Sequence, residues 1–243
     1  MTQPSAGRRY LATAVGLVGR LADHEAAWPS IDEAADLLVG CLAHDGTVHA
    51  FGTGHSHMLA EELFYRAGGL VAVRPILVDA LMLHAGAARS TELERLPGLG
   101  RILLDDHGVC AGDVLIVASN SGGNAVSCEI AEEARARGLK VIAVTSLQHS
   151  TSPLARRAEG PRLHEIADVV IDNGGAPGDA AIDVAGAPNA VGPTSTVVGA
   201  AIVNAVAVEA IERLVALGHV PATYASANVA GGDAHNATLG VRP

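Results

Sequence analysis

The sequence predicts an α/β fold: a three-layer α/β/α sandwich on a mainly parallel, five-stranded sheet, with N-terminal helices packed on it. Two observations carry this. Five short runs rich in Val, Ile and Ala alternate with segments of helical periodicity. Strands that alternate with helices imply a parallel sheet covered on both faces. No internal repeat and no linker breaks the 243 residues. One domain over 1–243 is therefore expected, with a helical segment at 1–44, a sheet core at 45–220 and a tail at 221–243.

The elements follow in order. Arg8-Arg9 before "YLATAVGLVG" faintly imitates a twin-arginine signal, but Arg20 ends a short apolar run and no small-residue cleavage site follows. Leu11, Ala14, Val18, Leu21 and Ala22 keep helical spacing, so this is an amphipathic helix. "SIDEAADLLVGCLAHDG" reads as a second helix, capped by Ser30 and closed by Gly46. "TVHAFG" is a short buried strand, and a helix runs from Ser56 or His57 to about Ala67. "LVAVRPILV" and "DVLIVAS" are the next strands. The helix "AVSCEIAEEARARG" precedes the strands "KVIAVT" and "ADVVID". A loop rich in Gly, Pro and Ala spans 173–193, and a long helix starts at Ser195.

Composition excludes several classes. A net charge of −10 argues against a general nucleic-acid binder, which needs a basic face. It leaves room for an anionic ligand, because backbone amides and a helix N-terminus hold phosphate. No stretch is long and apolar enough to span a bilayer. Cys41, Cys110 and Cys128 lie far apart, odd in number and without ligand spacing. They read as reduced, buried thiols of a cytoplasmic protein.

Three turns carry the functional signal. They are Gly52-Thr53-Gly54-His55-Ser56, then Ser119-Asn120-Ser121-Gly122-Gly123-Asn124, then Pro193-Thr194-Ser195-Thr196. Each opens a helix, and in a doubly wound sheet such turns meet beyond the carboxyl ends of the strands. For any one of them, simple helix capping is the better explanation. Together they supply hydroxyls and free amides enough for one phosphate monoester. Competing motifs fail: His57 replaces the third glycine of a dinucleotide loop, Ser119 replaces the first glycine of a nucleophile elbow, and no Walker lysine is present.

"SNSGGNAVSCEIAEEARARGLKVIAVTS", with "FGTGHSH" before it, resembles the signature of sugar isomerase (SIS) domains. "AEEL", Ala60 to Leu63, is similar to the same stretch of phosphoheptose isomerases. The resemblance covers about Asp45 to Asp172 and the helix after Pro193. It implies a flavodoxin-like sheet, a sugar phosphate held by the serine loop, and a dimer or tetramer with sites at subunit interfaces. Together with the three turns and the donor reading of the histidines, it points to binding by Gly54, His55, Ser56, His57, Ser119, Asn120, Ser121, Gly122, Asn124, Thr194 and Ser195. Two departures stand out. Counted from Ser56, the isomerases' catalytic glutamate falls on Arg66, with Glu62 a turn earlier. Their last-helix histidine is missing, and Asn204 and Glu209 stand in that helix.

Glu61 and Glu62 follow the first loop, where a carboxylate can take a proton beside a sugar carbonyl. One of the pair is expected to be structural, as an i,i+4 partner of Arg66; Glu62 is taken as the base. His84 and His235 are candidate acids, although each also reads as an ordinary surface histidine. His55 and His57 have no third ligand nearby, so neither metal nor cofactor is expected. The favoured activity is a lyase eliminating water across C2–C3 of an N-acetylhexosamine 6-phosphate, as resemblance to N-acetylmuramic acid 6-phosphate etherase suggests. The alternatives are an aldose–ketose isomerase and, last, a non-catalytic sugar-phosphate sensor. The apolar last helix and the N-terminal helix predict a homodimer, and the resemblance implies that its site lies near the interface.

Overall fold

A computed structural model describes residues 4–23, 27–153, 155–156 and 159–239. Residues 240–243 of the predicted tail therefore lie outside the described residues. In chain order the helices are α1 (Ala6–Leu21), α2 (Trp28–Leu42), α3 (His57–Leu63), α4 (Ala87–Leu93), α5 (Leu99–Asp105), α6 (Ala125–Ala136), α7 (Leu147–Ser150), α8 (Leu163–Ile166), α9 (Ser195–Ala216) and α10 (Gly232–Thr238). The strands are β1 (Val48–Gly52), β2 (Val73–Ile76), β3 (Val114–Ala118), β4 (Lys140–Thr145), β5 (Val169–Asp172), β6 (Ala180–Ile182) and β7 (Val191–Pro193).

β1 to β5 form one parallel sheet in the order β2-β1-β3-β4-β5. Its chain reversal falls between β1 and β3, so the loops after those two strands diverge to opposite faces and leave a crevice. β1 and β3 are buried along their whole length, which explains why β3 reads as a continuous apolar run and β1 as one interrupted only by His49. Alternate residues serve two cores. Val48, Ala50, Ile116, Ala118 and Val144 pack with α2, α3 and α9. Phe51, Leu115, Val117, Val141 and Ala143 pack with α5, α6 and α8. The predicted three-layer arrangement is thus borne out.

Several boundaries move. α2 starts at Trp28 with Pro29 in its first turn, so Ser30 lies inside the helix and does not cap it. α3 stops at Leu63, four residues before the predicted end. Phe64 turns extended and Tyr65 takes φ 48, where its ring meets Tyr224 at 4.8 Å. β2 is shorter than read, because Gly68, Val71 and Tyr224 exchange backbone hydrogen bonds between the 68–71 stretch and the tail. The loop at 173–193 holds the β6–β7 hairpin, and 79–105 holds α4 and α5. Cys41 and Cys128 are buried, with thiols pushed up to about 11 mainly by desolvation. Cys110 is exposed, which corrects the expectation that all three are buried.

α9 explains the fully apolar reading of its sequence. Val198, Ile202, Val203, Val206, Ala210 and Leu214 are buried on its inner face. Val197, Val208 and Val215 recur on the outer face and stay exposed, Val208 at 65%. On α1, Leu11, Val15 and Val18 form a second exposed stripe.

Candidate functional site

The first two turns converge as predicted, and the third joins them in an altered form. Ser56, Ser119, Asn120, Ser195 and Thr196 line one small cavity above Leu59, Ala118 and Val144. Gly52 makes the first turn possible: a Cβ there would lie 2.4 Å from the Ser56 carbonyl oxygen. Gly122 shapes the second. It holds φ +59, and its amide donates to Ser119 Oγ at 3.2 Å. Ser119 is buried and therefore spent on the loop's own geometry. Ser121 is half-buried. Among the described residues, neither its hydroxyl nor the N–H groups of Ser121, Gly123 and Asn124 has a partner within the chain. These groups stand at the start of the 12-residue helix α6, where free donors and the helix dipole favour an anion.

At the third turn the expected donors are already engaged. The amides of Thr194 and Ser195 donate to Asp179 Oδ1 at 3.0 and 2.9 Å, and Ser195 Oγ donates to Asp179 Oδ2. The expectation that Thr194 and Ser195 offer free donors is corrected on this point, because a carboxylate of the chain's own caps α9. Nearby, Gly178 N–H donates to His149 Nδ1 at 3.3 Å. Burial holds the His149 imidazole below its ordinary value, against the opposing pull of Asp179.

Glu62 occupies a neighbouring corner. It lines a separate cavity of about 220 Å³ with Arg66, Asn204, Val208 and Ile211. Its Oε1 takes an ion pair from Arg66 Nε at 2.9 Å and a hydrogen bond from Asn204 Nδ2 at 2.8 Å. Among the described residues, Oε2 has no partner. The structural partner of Arg66 is thus Glu62 itself, while the exposed Glu61 lies 3.5 Å from His57 Nε2. Ser56 is the N-cap residue of α3 and Glu62 lies near its end, six residues on, a rise of roughly 9 Å at 1.5 Å per residue.

The histidines separate. His57 is buried and its Nδ1 contacts the Gly54 carbonyl, so it shapes the first turn. His55 is exposed beside that turn. His84 is exposed with its ring 6.4 Å from that of His57, so it stays near the loops. His235 does not. Its Nε2 contacts the Thr223 carbonyl in the tail, which runs beside 68–71 at the opposite end of the sheet from the loops. Within one chain it is therefore not brought to the site. No group of three or more metal-ligating side chains gathers among the described residues.

Sequence reading missed Asn173, Asp179 and Glu94. Asn173 follows β5, donates to Asn120 Oδ1 at 2.9 Å and lines the loop cavity. Its place at a strand's carboxyl end was a usable signal. Glu94 accepts from Thr53 Oγ1 at 2.7 Å, and its carbonyl accepts from Val126 N–H, so it ties the first loop to α6. No local pattern marks that link, which joins residues 41 positions apart.

Comparison with known proteins gives the class. The SIS domain family matches residues 9–146, and the chain belongs to that family. Curated relatives that span almost the whole chain are known as UPF0309 proteins. One from Listeria monocytogenes serotype 4b is 44% identical over 230 residues, covering 95% of this chain and 92% of its own. One from Brucella canis is 44% identical over 231 residues, covering 95% and 93%. Among solved structures, a phosphoheptose isomerase from Francisella tularensis has the same fold, with TM-score 0.56, 18% identity and coverage of 86% of this chain and 98% of its own. The Vibrio vulnificus NanR protein complexed with ManNAc-6P follows with TM-score 0.50, 15% identity and coverage of 89% and 66%. The family is that of SIS domains, and the fold is shared with a phosphoheptose isomerase. No described helix is long and apolar enough to cross a membrane.

Proposed function

We propose that this protein is a sugar-phosphate enzyme in which Glu62 removes the proton beside the substrate carbonyl. One observation carries the reading. Arg66 and Asn204 both hold Oε1 of Glu62 and leave Oε2 to act, at one end of the helix whose other end borders the loop cavity. The phosphate is held by Ser56, Ser121 and the free amides of Ser121, Gly123 and Asn124, with Gly54, His55 and Gly122 shaping the turn. The carbon skeleton reaches along α3 toward Glu62. In the favoured reaction, ring opening acidifies the C2 proton of an N-acetylhexosamine 6-phosphate. Glu62 takes that proton, the electron pair forms the C2–C3 double bond, and the C3 hydroxyl leaves as water after protonation by His84. Binding of ManNAc-6P by a protein of this fold supports an aminosugar phosphate as the ligand.

The second reading is an aldose–ketose isomerase. It uses the same base and returns the proton to C1. The apposition of Glu62 and the last helix through Asn204 favours it, as does the family's likeness to isomerases. Incubation in D₂O with N-acetylglucosamine 6-phosphate and, separately, with a 2-hydroxy aldose phosphate such as glucose 6-phosphate decides between them by proton NMR. A conjugated enal supports elimination. A ketose carrying solvent deuterium establishes isomerisation. Absence of exchange at C2 across a panel of hexose and aminosugar phosphates overturns both.

The assembly proposed is a homodimer of cytoplasmic chains. Val197, Ala201, Asn204, Val208, Ile211 and Val215 share one face of α9 at helical spacing. Val208 and Ile211 also line the Glu62 cavity, so a second copy seated on that face would close the cavity.

A further inference from the structure

We propose that Asp179 is a built-in anion that keeps the site closed, and that a phosphate ester enters by displacing it. The inference rests on the phosphosugar reading above. Four observations point to it.

The first is what Asp179 occupies. Its two oxygens take the amides of Thr194 and Ser195 and the Ser195 hydroxyl. This is the N-terminus of a 22-residue helix, the donor set that a phosphate oxygen would use. The second is space. The cavity shared by Ser56, Ser119, Asn120, Asn173, Ser195 and Thr196 measures about 10 Å³. That is the size needed for one water, and a phosphoryl group is several times larger. The third is an unused donor. Thr194 is 1% exposed, and among the described residues its Oγ1 has no partner. A carboxylate leaves this hydroxyl unsatisfied; the third and fourth oxygens of a phosphate offer it an acceptor.

The fourth is how the carboxylate is delivered. Asp179 sits at φ 60, a left-handed conformation that costs a non-glycine residue free energy, and Gly178 before it holds φ 80. Around this turn the chain has the Asp179 amide on the Ala176 carbonyl and the longer contact from Gly178 to His149. The turn leads directly into the β6–β7 hairpin, whose Val184 and Val191 face solvent. Releasing the carboxylate frees a strained turn at the edge of the molecule and disturbs neither core. A phosphate dianion carries more charge than a carboxylate and competes for the same donors. Asp179 thus acts as a threshold: weak anions leave it in place, and a phosphate ester with additional sugar contacts lifts it.

Calorimetric titration tests this with inorganic phosphate and N-acetylglucosamine 6-phosphate against the unaltered protein, Asp179→Asn, Asp179→Ala and Ser121→Ala. Asparagine keeps an oxygen for the two amides while removing the charge, so it reports even if alanine fails to fold. We expect both Asp179 variants to bind inorganic phosphate about tenfold more tightly. Hydrogen exchange should also speed up over 180–193 when saturating phosphate is added to the unaltered protein. Unchanged or weaker binding by Asp179→Asn, with Ser121→Ala impaired, overturns the displacement and leaves the phosphate site standing. Binding that is indifferent to Ser121→Ala, or absent from every protein, removes the phosphosugar reading and this inference with it.

Discussion

Replacing Ser121 with alanine, beside the same change at Ser119, separates a ligand contact from a structural one within a single loop. Ser121 is half-buried and uses its hydroxyl on nothing else among the described residues. Removing it should leave stability unchanged, because no partner is orphaned. It should cost sugar-phosphate affinity roughly 1.5–3 kcal/mol, the worth of one hydrogen bond to a charged group. That is about 10- to 150-fold in Kd. Ser119 differs. It is 5% exposed and its Oγ accepts the buried Gly122 amide. Alanine there strands that N–H at a cost of about 1–3 kcal/mol, or roughly 2–4 °C in melting temperature per kcal/mol for a chain of this size. Titration calorimetry and thermal denaturation on both variants make the assay. If Ser121→Ala binds as tightly as the unaltered protein, the phosphate does not sit in this loop. If it melts well below the unaltered protein, the assignment of Ser121 as a free donor is wrong.

Glu62→Gln keeps the contacts of Oε1 but cannot accept a proton, so C2 exchange with solvent should fall at least ~10²-fold; undiminished exchange clears Glu62 of the role. Asp113 governs stability against acid. Burial alone would raise its carboxyl, but hydrogen bonds from Thr47 N–H, Cys110 N–H and His49 Nε2 win and hold it below the ordinary range. The stability it adds is complete above the unfolded value near pH 4 and is lost as pH falls through the lower folded value. Melting curves from pH 6 to pH 2 should show that loss in the unaltered protein and not in Asp113→Asn. Val208→Glu places a charge on the exposed face of α9 and should convert the dimer to monomer in light scattering at micromolar concentration. A monomer before the change refutes the proposed interface.

Much of the fold was legible because burial writes itself into the sequence. β1 and β3 are covered on both faces, so "VLIVA" carries no polar break and "VHAFG" only His49, which pairs with Asp113 at 3.0 Å, and α6 keeps its periodicity between two buried strands. The serine loop was readable for a related reason: a helix start with free amides needs Gly122 at φ +59 and small residues around it. What the sequence determined alone was therefore the layered α/β order and the turns that leave free donors at a helix start, since both depend on neighbours a few residues apart. Tertiary structure decided the rest. Nothing local says that Asp179 caps a helix beginning sixteen residues later, that Asn204 grips Glu62 across 142 positions, or that His235 lies at the far end of the sheet. Those pairings are set where separate elements pack, and polar side chains on exposed loops carry no periodicity that would announce their partners.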